Sequence, residues 1–284
     1  MDTEIIAVYC LCDDFLKAMH HVDDRQSQMS DAEVMTTAIV AALYFGGNME
    51  LARALLKQRT YVPTMLSRSR LNRRVHQVKA LFTTLFSILA EHWKALNSES
   101  LYAIDTFPVA ACDQYHILRA RLYQGEDYCG YTASKRRYFY GLKLHLMVTT
   151  KGQPVEFFLT PGSCADVTGL QWFDFNLPAG AEVFADKAYN DYRVEDELVE
   201  LGISLLPLRK KNSKRPHPPW LTAWISAHRK VVETAGSLLQ RRMPKSIHAV
   251  TAAGFEMKVV LFVLGLSQDF SVFDINATEQ RFGH

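Results

Sequence analysis

Leu101-Tyr102-Ala103-Ile104-Asp105-Thr106-Phe107-Pro108 decides how this chain is read. Its Tyr, Ile and Phe favour a pleated surface, and Pro108, which has no backbone donor, is expected to stop the ladder. The stretch predicts a buried central strand with Asp105 near its end. An ionised acid on a buried strand is costly unless it is paired or coordinates a metal. Taken alone, Asp105 is read equally well as a strand-ending residue that caps a turn. A second run built the same way tips the balance toward chemistry. Glu182-Val183-Phe184-Ala185-Asp186 also ends in an acid and is followed by Lys187-Ala188-Tyr189 and a predicted helix start at Asn190 or Asp191.

Outward from these two runs, Tyr138 to Thr149 alternates, with Tyr138, Tyr140, Leu142, Leu144, Leu146 and Val148 on one face and Lys143, His145 and Met147 on the other. Lys151-Gly152 predicts a turn, and Val155 to Leu159 a returning strand in a hairpin or meander. Val109 to Cys112 leads toward a further strand through a Tyr-rich connection punctuated by Arg119, Arg121, Lys135, Arg136 and Arg137. Then come the loop Pro161 to Asp166, a short helix to about Phe175, the Asp186 strand, a helix over Asn190 to Leu201, and a strand at Ile203 to Leu206. Strands, helix, strand, helix, strand predict an α/β fold: a mixed sheet flanked by helices. A helix from about Leu221 to Arg242, ended by Pro244, and an apolar one from about Ala249 to Leu266 follow.

Residues 1–97 read as an all-helical N-terminal domain, 98–266 as the α/β domain, and 267–284 as a tail without assigned structure. Ser30-Asp31-Ala32-Glu33 is a capping box before the apolar run Val34 to Phe45, and Gly46-Gly47-Asn48 breaks that helix. A third helix begins at Leu51, and Ser67 or Ser69 caps a long one running to about Leu96, with Arg68, Arg70, Arg73 and Arg74 on its first turns. Basic residues at a helix start in a small helical module suit DNA contact.

The 284 residues carry a net charge of only +2, but the charge is segregated. Residues 51–90 hold eight Lys or Arg and no acid; residues 201–255 hold ten and one acid, Glu233. Large positive surfaces on a nearly neutral protein suit a polyanion better than a small substrate. The loop Arg209-Lys210-Lys211-Asn212-Ser213-Lys214-Arg215, followed by Pro216, Pro218 and Pro219, has the composition of a phosphate-contacting loop and equally of a solvated connector. Five scattered cysteines suggest neither a disulfide framework nor a zinc site. No bilayer-spanning run or secretory signal is visible, so cytoplasmic residence, with nucleoid association, and no membrane partner are expected.

Glu233 is the informative acid. A surface that only binds polyanion gains nothing from a carboxylate at its centre, whereas one that holds a divalent metal against phosphate needs one. Two such ions about 3.5–4 Å apart serve phosphodiester chemistry. Asp105, Asp186 and Glu233, two from strand ends and one from a helix, can supply that site. The plain alternative is a surface ion pair with Arg229 four positions earlier, worth only a few tenths of a kcal/mol.

Asp105 in Ile-Asp-Thr-Phe-Pro, Asp186 in Ala-Asp-Lys-Ala-Tyr and Glu233 in Arg-Lys-Val-Val-Glu-Thr, separated by 81 and then 47 positions, resemble the acidic triad of bacterial insertion-sequence transposases of the DDE type. Tyr140-Gly141-Leu142-Lys143-Leu144-His145, the loop ending in Asp166, and Ile247-His248-Ala249 within Pro244 to Gly254 look like the same group, most closely insertion-sequence family 982. The resemblance covers about residues 20–266 and implies an RNase H-like core with two Mg²⁺ or Mn²⁺ ions. By carry-over Asp105, Asp186 and Glu233 are catalytic metal ligands. Arg229 matches the Arg of the tyrosine-arginine-glutamate-lysine signature, while the signature's Tyr and Lys positions hold Ser226 and Gln240. The expected activity is hydrolysis of a phosphodiester at element ends and 3′-hydroxyl strand transfer into target DNA, by a homo-oligomer (a dimer) on double-stranded inverted-repeat ends. Expected DNA contacts are Arg229, Lys187, Arg209, Lys210, Lys211, Lys214, Arg215, Arg70, Arg73 and Arg74. Two alternatives remain: a decayed transposase that only binds DNA, and a stand-alone RNase H-like metal nuclease. An aspartyl-phosphate phosphatase is disfavoured, because Phe107 stands where it would need a second acid.

Overall fold

A computed structural model describes residues 1–112, 117, 121–132 and 136–267; Arg119, Lys135 and the 268–284 portion of the tail lie outside them. The chain packs into two units. Among the described residues, one holds 1–86, 242–244 and 256–267, and the other those within 87–241 and 245–255.

The first unit is helical. α1 spans Asp2–Ala18, α2 Asp31–Tyr44, α3 Met49–Gln58, α4 Arg68–Gln77, and α5, Lys79–Leu96, starts here and ends in the second unit. The capping box at Ser30 forms in full: Ser30 Oγ accepts from the Glu33 N–H and the Glu33 carboxylate from the Ser30 N–H. α2 is buried on nearly all sides. Asn48 caps α3, its side-chain oxygen accepting from the N–H groups of Glu50 and Leu51. The single long helix expected from Ser67 to Leu96 is two helices that part at Val78, where neither Pro nor Gly marks the break; the buried Val78 anchors the corner.

The second unit is built on a six-stranded mixed sheet: β1 Leu101–Cys112, β2 Cys129–Thr132, β3 Arg137–Thr149, β4 Pro154–Pro161, β5 Glu182–Ala185 and β6 Ser204–Pro207. β1 pairs antiparallel with β3, and β3 with β2 and β4; β5 and β6 continue the sheet parallel to β1. This mixed sheet, with its antiparallel half leading into two strands parallel to β1, is consistent with the RNase H-like core that the resemblance implies. Pro108 does not end β1. The strand runs through it, with Pro108 opposite Lys143, and Val109 to Cys112 belong to the same strand. The reason is a partly open edge: β5 pairs β1 only over Leu101–Ala103, so at Pro108 a missing donor breaks no bond on that side. Asp105 therefore sits mid-strand, opposite Leu146.

Short helices join the parallel strands. α6, Asp166–Leu170, stops short of the expected Phe175, and α7, Tyr192–Glu200, is capped by Asp191. α8, Pro219–Arg242, crosses a face of the sheet, and Gly236 is the reason it comes close: a Cβ there would overlap the Phe107 ring. α9, Ala252–Leu264, packs mostly with the first unit, not wholly with the sheet as the linear division at residue 97 had it. No single helix among the described residues is long and apolar enough to cross a membrane.

Candidate active site

Successive strand residues face opposite sides, so β1 presents Asp105 and Phe107 to one face and Thr106 to the other. On α8, Arg229, Glu233 and Gly236 follow at helical spacing along one side. With Gly236 seated on Phe107, the turns carrying Arg229 and Glu233 lie over Asp105. Asp186 arrives from the end of β5, immediately beyond Ala185.

The three acids meet at one cation. Arg229 Nη2 lies 3.3 Å from Asp105 Oδ2, and Nη1 lies 3.7 Å from Asp186 Oδ1 and 3.5 Å from Glu233 Oε1. The Arg229 side chain is only 9% exposed, whereas those of Asp105, Asp186 and Glu233 are 23%, 45% and 54% exposed. The site thus deepens from Glu233 and Asp186 toward Asp105. Both aspartates are fixed alike, each accepting the next residue's N–H: Thr106 N to Asp105 Oδ1 at 2.8 Å, Lys187 N to Asp186 Oδ1 at 2.6 Å. Burial pushes the Asp105 carboxyl up to about 6, against the Thr106 N–H and Arg229; the charges of Asp186 and Asp166 push the same way as burial.

Behind Asp105, on the opposite sheet face, runs a buried polar chain. The Tyr189 hydroxyl bonds Thr106 Oγ1, which also meets His145 Nδ1 at 3.2 Å, and His145 Nε2 meets Thr160 Oγ1 at 3.0 Å. Burial holds the His145 imidazole down to about 4, so it is neutral and its two ring nitrogens share the hydroxyls as donor and acceptor. Phe158 stacks on the ring, and Gly169 of α6 abuts it where a Cβ would collide. Burial and the charge of Asp105 push the Tyr189 hydroxyl well above the usual tyrosine range. Lys143 Nζ donates to the Cys164 carbonyl at 2.6 Å and to Asp166 at 3.0 Å, tying β3 to the loop before α6. The sequence singled out His145 and Asp166 as motif residues; what it did not single out are Thr106, Tyr189 and Thr160, whose neutral side chains leave no charge signature.

The basic residues divide by environment. Lys187, Lys210, Lys211 and Lys214 are exposed. Arg209 is not: it forms a bidentate pair with Glu195 of α7 at 2.6 and 2.7 Å, both side chains under 10% exposed, so its guanidinium is already taken. Arg215 pairs with Asp196 at the surface, and both arginines stand over the Tyr192 ring. The loop is thereby anchored to α7 at both ends, with the three lysines between. In the first unit Arg70 and Arg73 are exposed, but Arg74 donates to Asp31 Oδ1 at 2.6 Å. His21 Nε2 holds the other Asp31 oxygen at 2.7 Å, and Asp23 accepts the Asp31 N–H. His21, Asp23 and Asp31 are close enough to bind an ion, but Arg74 already neutralises Asp31, and the cluster ties α4 to the start of α2.

Residues 96–248 match the transposase DDE domain family. The chain belongs to that family. Its matched segment carries Asp105, Asp186, Arg229 and Glu233. The transposase is also similar to a solved structure described as the cryo-EM structure of a piggyBac transposase synaptic complex with hairpin DNA, at 9% identity and a TM-score of 0.44, over 95% of this chain and 73% of that one. No curated protein matches the sequence.

The donor set at the transposase's candidate site is all carboxylate oxygen, which suits Mg²⁺ or Mn²⁺ and not a soft metal. One guanidinium lies within 3.3–3.7 Å of a carboxylate oxygen of each acid, so the three converge on a single point.

Proposed function

We propose that this transposase cleaves and joins DNA at the ends of a mobile element, with Asp105, Asp186 and Glu233 as the ligands of two Mg²⁺ or Mn²⁺ ions. The observation that carries it is the meeting of these acids, from a strand, a strand end and a helix, at the single cation Arg229. Water attacks a phosphodiester at the element end and frees a 3′-hydroxyl, which then attacks a target phosphodiester, forming the new P–O bond as the target strand's 3′ oxygen leaves and is protonated. Bound between the acids, the ion pair would supply Lewis-acid activation of the attacking oxygen and stabilisation of the leaving one.

The chain's own residues do the rest. The Thr106 and Lys187 amides fix the two aspartates. Phe107 against Gly236 fixes the approach of Glu233. Lys187 at the open side, and Lys210, Lys211 and Lys214 on the anchored loop, contact DNA phosphates; Arg70 and Arg73 do so from α4. Joining two element ends requires two sites, so a dimer assembled on double-stranded DNA is the working form.

The test is a strand-transfer assay with labelled element ends, Mg²⁺ and the Asp105→Asn, Asp186→Asn and Glu233→Gln variants. Cleavage and joining by the wild type, with loss of both and retained DNA binding in each variant, is the expected result. Cleavage without joining identifies a stand-alone nuclease. Binding with neither step identifies a decayed transposase. Full cleavage by any one variant removes that acid from the site.

A further inference from the structure

Two buried arginines in the same unit are held in different ways. Arg209 is held by three hydrogen bonds of 2.6–2.9 Å, two parallel ones to Glu195 and one to Asn190 Oδ1. Arg229 is shared among three acids at 3.3, 3.5 and 3.7 Å, and of these contacts only that to Asp105 has hydrogen-bond geometry. Its Nε is buried without a partner, as is that of Arg209, so the difference between the two lies in their Nη contacts. A buried donor left unbonded costs free energy, and a fork of donors aimed at three carboxylates makes a diffuse positive charge more than a fixed bond. Without a cation, three carboxylates gathered from residues 105, 186 and 233 would repel one another. The two outer acids are about half exposed, while the guanidinium lies beneath them.

Building on the proposed metal-binding role of the acids, we infer that Arg229 is a resident stand-in cation: it holds the three carboxylates together in the free protein and is exchanged for metal when the site loads. The exchange leaves its guanidinium, which cannot lose its proton, available for the DNA phosphate contact already expected of it from the resemblance. Arg229 is then a positioning residue before loading, and metal and guanidinium compete for the same oxygens.

The test uses the full-length, metal-free protein without DNA. Mn²⁺ binding is measured calorimetrically for the wild type, Arg229→Gln and Arg229→Lys. Competition predicts roughly tenfold tighter binding or more in Arg229→Gln, since a unit positive charge a few Å from the ion has gone, and an intermediate affinity in Arg229→Lys. Equal or weaker binding in Arg229→Gln overturns the exchange while leaving the acids as ligands. Binding in none of the three removes the metal reading as well. Because Arg229→Gln leaves the carboxylates unpaired and could cost the fold, a second measurement reads the wild type, with Arg229→Lys used only for assignment. The side-chain Nε–H resonance of Arg229, identified by its absence from Arg229→Lys, must move when Mg²⁺ is titrated in. A resonance that stays in place while Mg²⁺ binds overturns the exchange.

Discussion

The ring of Phe107 lies against the bare backbone of Gly236. Phe107 is two positions beyond Asp105 on β1, and Gly236 three positions beyond Glu233 on α8. The contact therefore sets the distance and the axial register between the strand and the helix that carry two of the three acids. A side chain at 236 must push α8 away or turn the ring, and overpacking of this kind costs about 1–3 kcal/mol. Gly236→Ala is expected to lose that stability in urea unfolding and to weaken Mn²⁺ binding. Phe107→Leu in the same chain should restore part of both; no recovery would separate the ring from the register.

The loop lysines and the arginines beside them are expected to behave differently. Each lysine among Lys210, Lys211 and Lys214 that touches a phosphate contributes about 0.9 to the slope of log affinity against log salt. Replacing them one at a time should lower that slope stepwise and leave the unfolding midpoint unchanged. Arg70→Ala and Arg73→Ala belong with the lysines. Arg74→Ala should instead destabilise the first unit, because it leaves the buried Asp31 with His21 as its remaining side-chain partner, and leave the salt slope unaltered.

Glu195→Ala removes the partner of a buried guanidinium, a change that typically costs about 3–5 kcal/mol. The same variant loosens the start of the lysine loop, leaving Arg209 its contacts with Asn190 and the Tyr192 ring. A measurable drop in thermal stability together with weaker DNA binding is expected, and stability loss with unaltered binding would show that the anchoring is irrelevant to DNA.

His145 makes stability depend on pH in a defined direction. Its folded-state value is about 4 against an ordinary 6.5, so between these the unfolded chain binds the extra proton. The stabilisation is complete above pH 6.5 and is lost as pH falls toward 4, by up to about 3 kcal/mol. Urea midpoints at pH 7.5 and pH 5 should fall further for the wild type than for His145→Gln. An equal fall in both proteins would mean that His145 is not the group responsible.

Mn²⁺ should stabilise the folded protein by about 2.7 kcal/mol at a hundredfold excess over its Kd, as any ligand of the native state does. Asp105→Asn, Asp186→Asn and Glu233→Gln should each reduce that increment. A chelator should reverse it in the wild type.

Much of this was legible in the sequence. The alternation from Tyr138 to Thr149 gave β3 almost to the residue, and Ser30 with Glu33 gave the start of α2. Asp105 and Asp186 stood out because each closes an apolar run, and Glu233 because no other acid shares its stretch. What stayed hidden depends on partners remote in sequence. Spacing relates Arg229 to Glu233 and says nothing of Asp105, 124 positions away. Arg209 and Arg74 look like free cations until Glu195 and Asp31 are placed beside them. Pro108 reads as a stop signal unless it is known that β5 is too short to reach it. The corner at Val78 carries no breaking residue, so only packing defines it.

Gly169 abuts His145 behind the sheet and meets no acid of the site. For a mobile element, whose copies drift without repair by selection once they lie idle, such a position widens the target for inactivation. One added methyl group there presses on the imidazole, and through Thr106 on the strand that carries Asp105. Under the proposed function, copies with every acid intact but a side chain at 169 are then expected to be inactive, and a survey that scores activity by the acids alone would count them as alive.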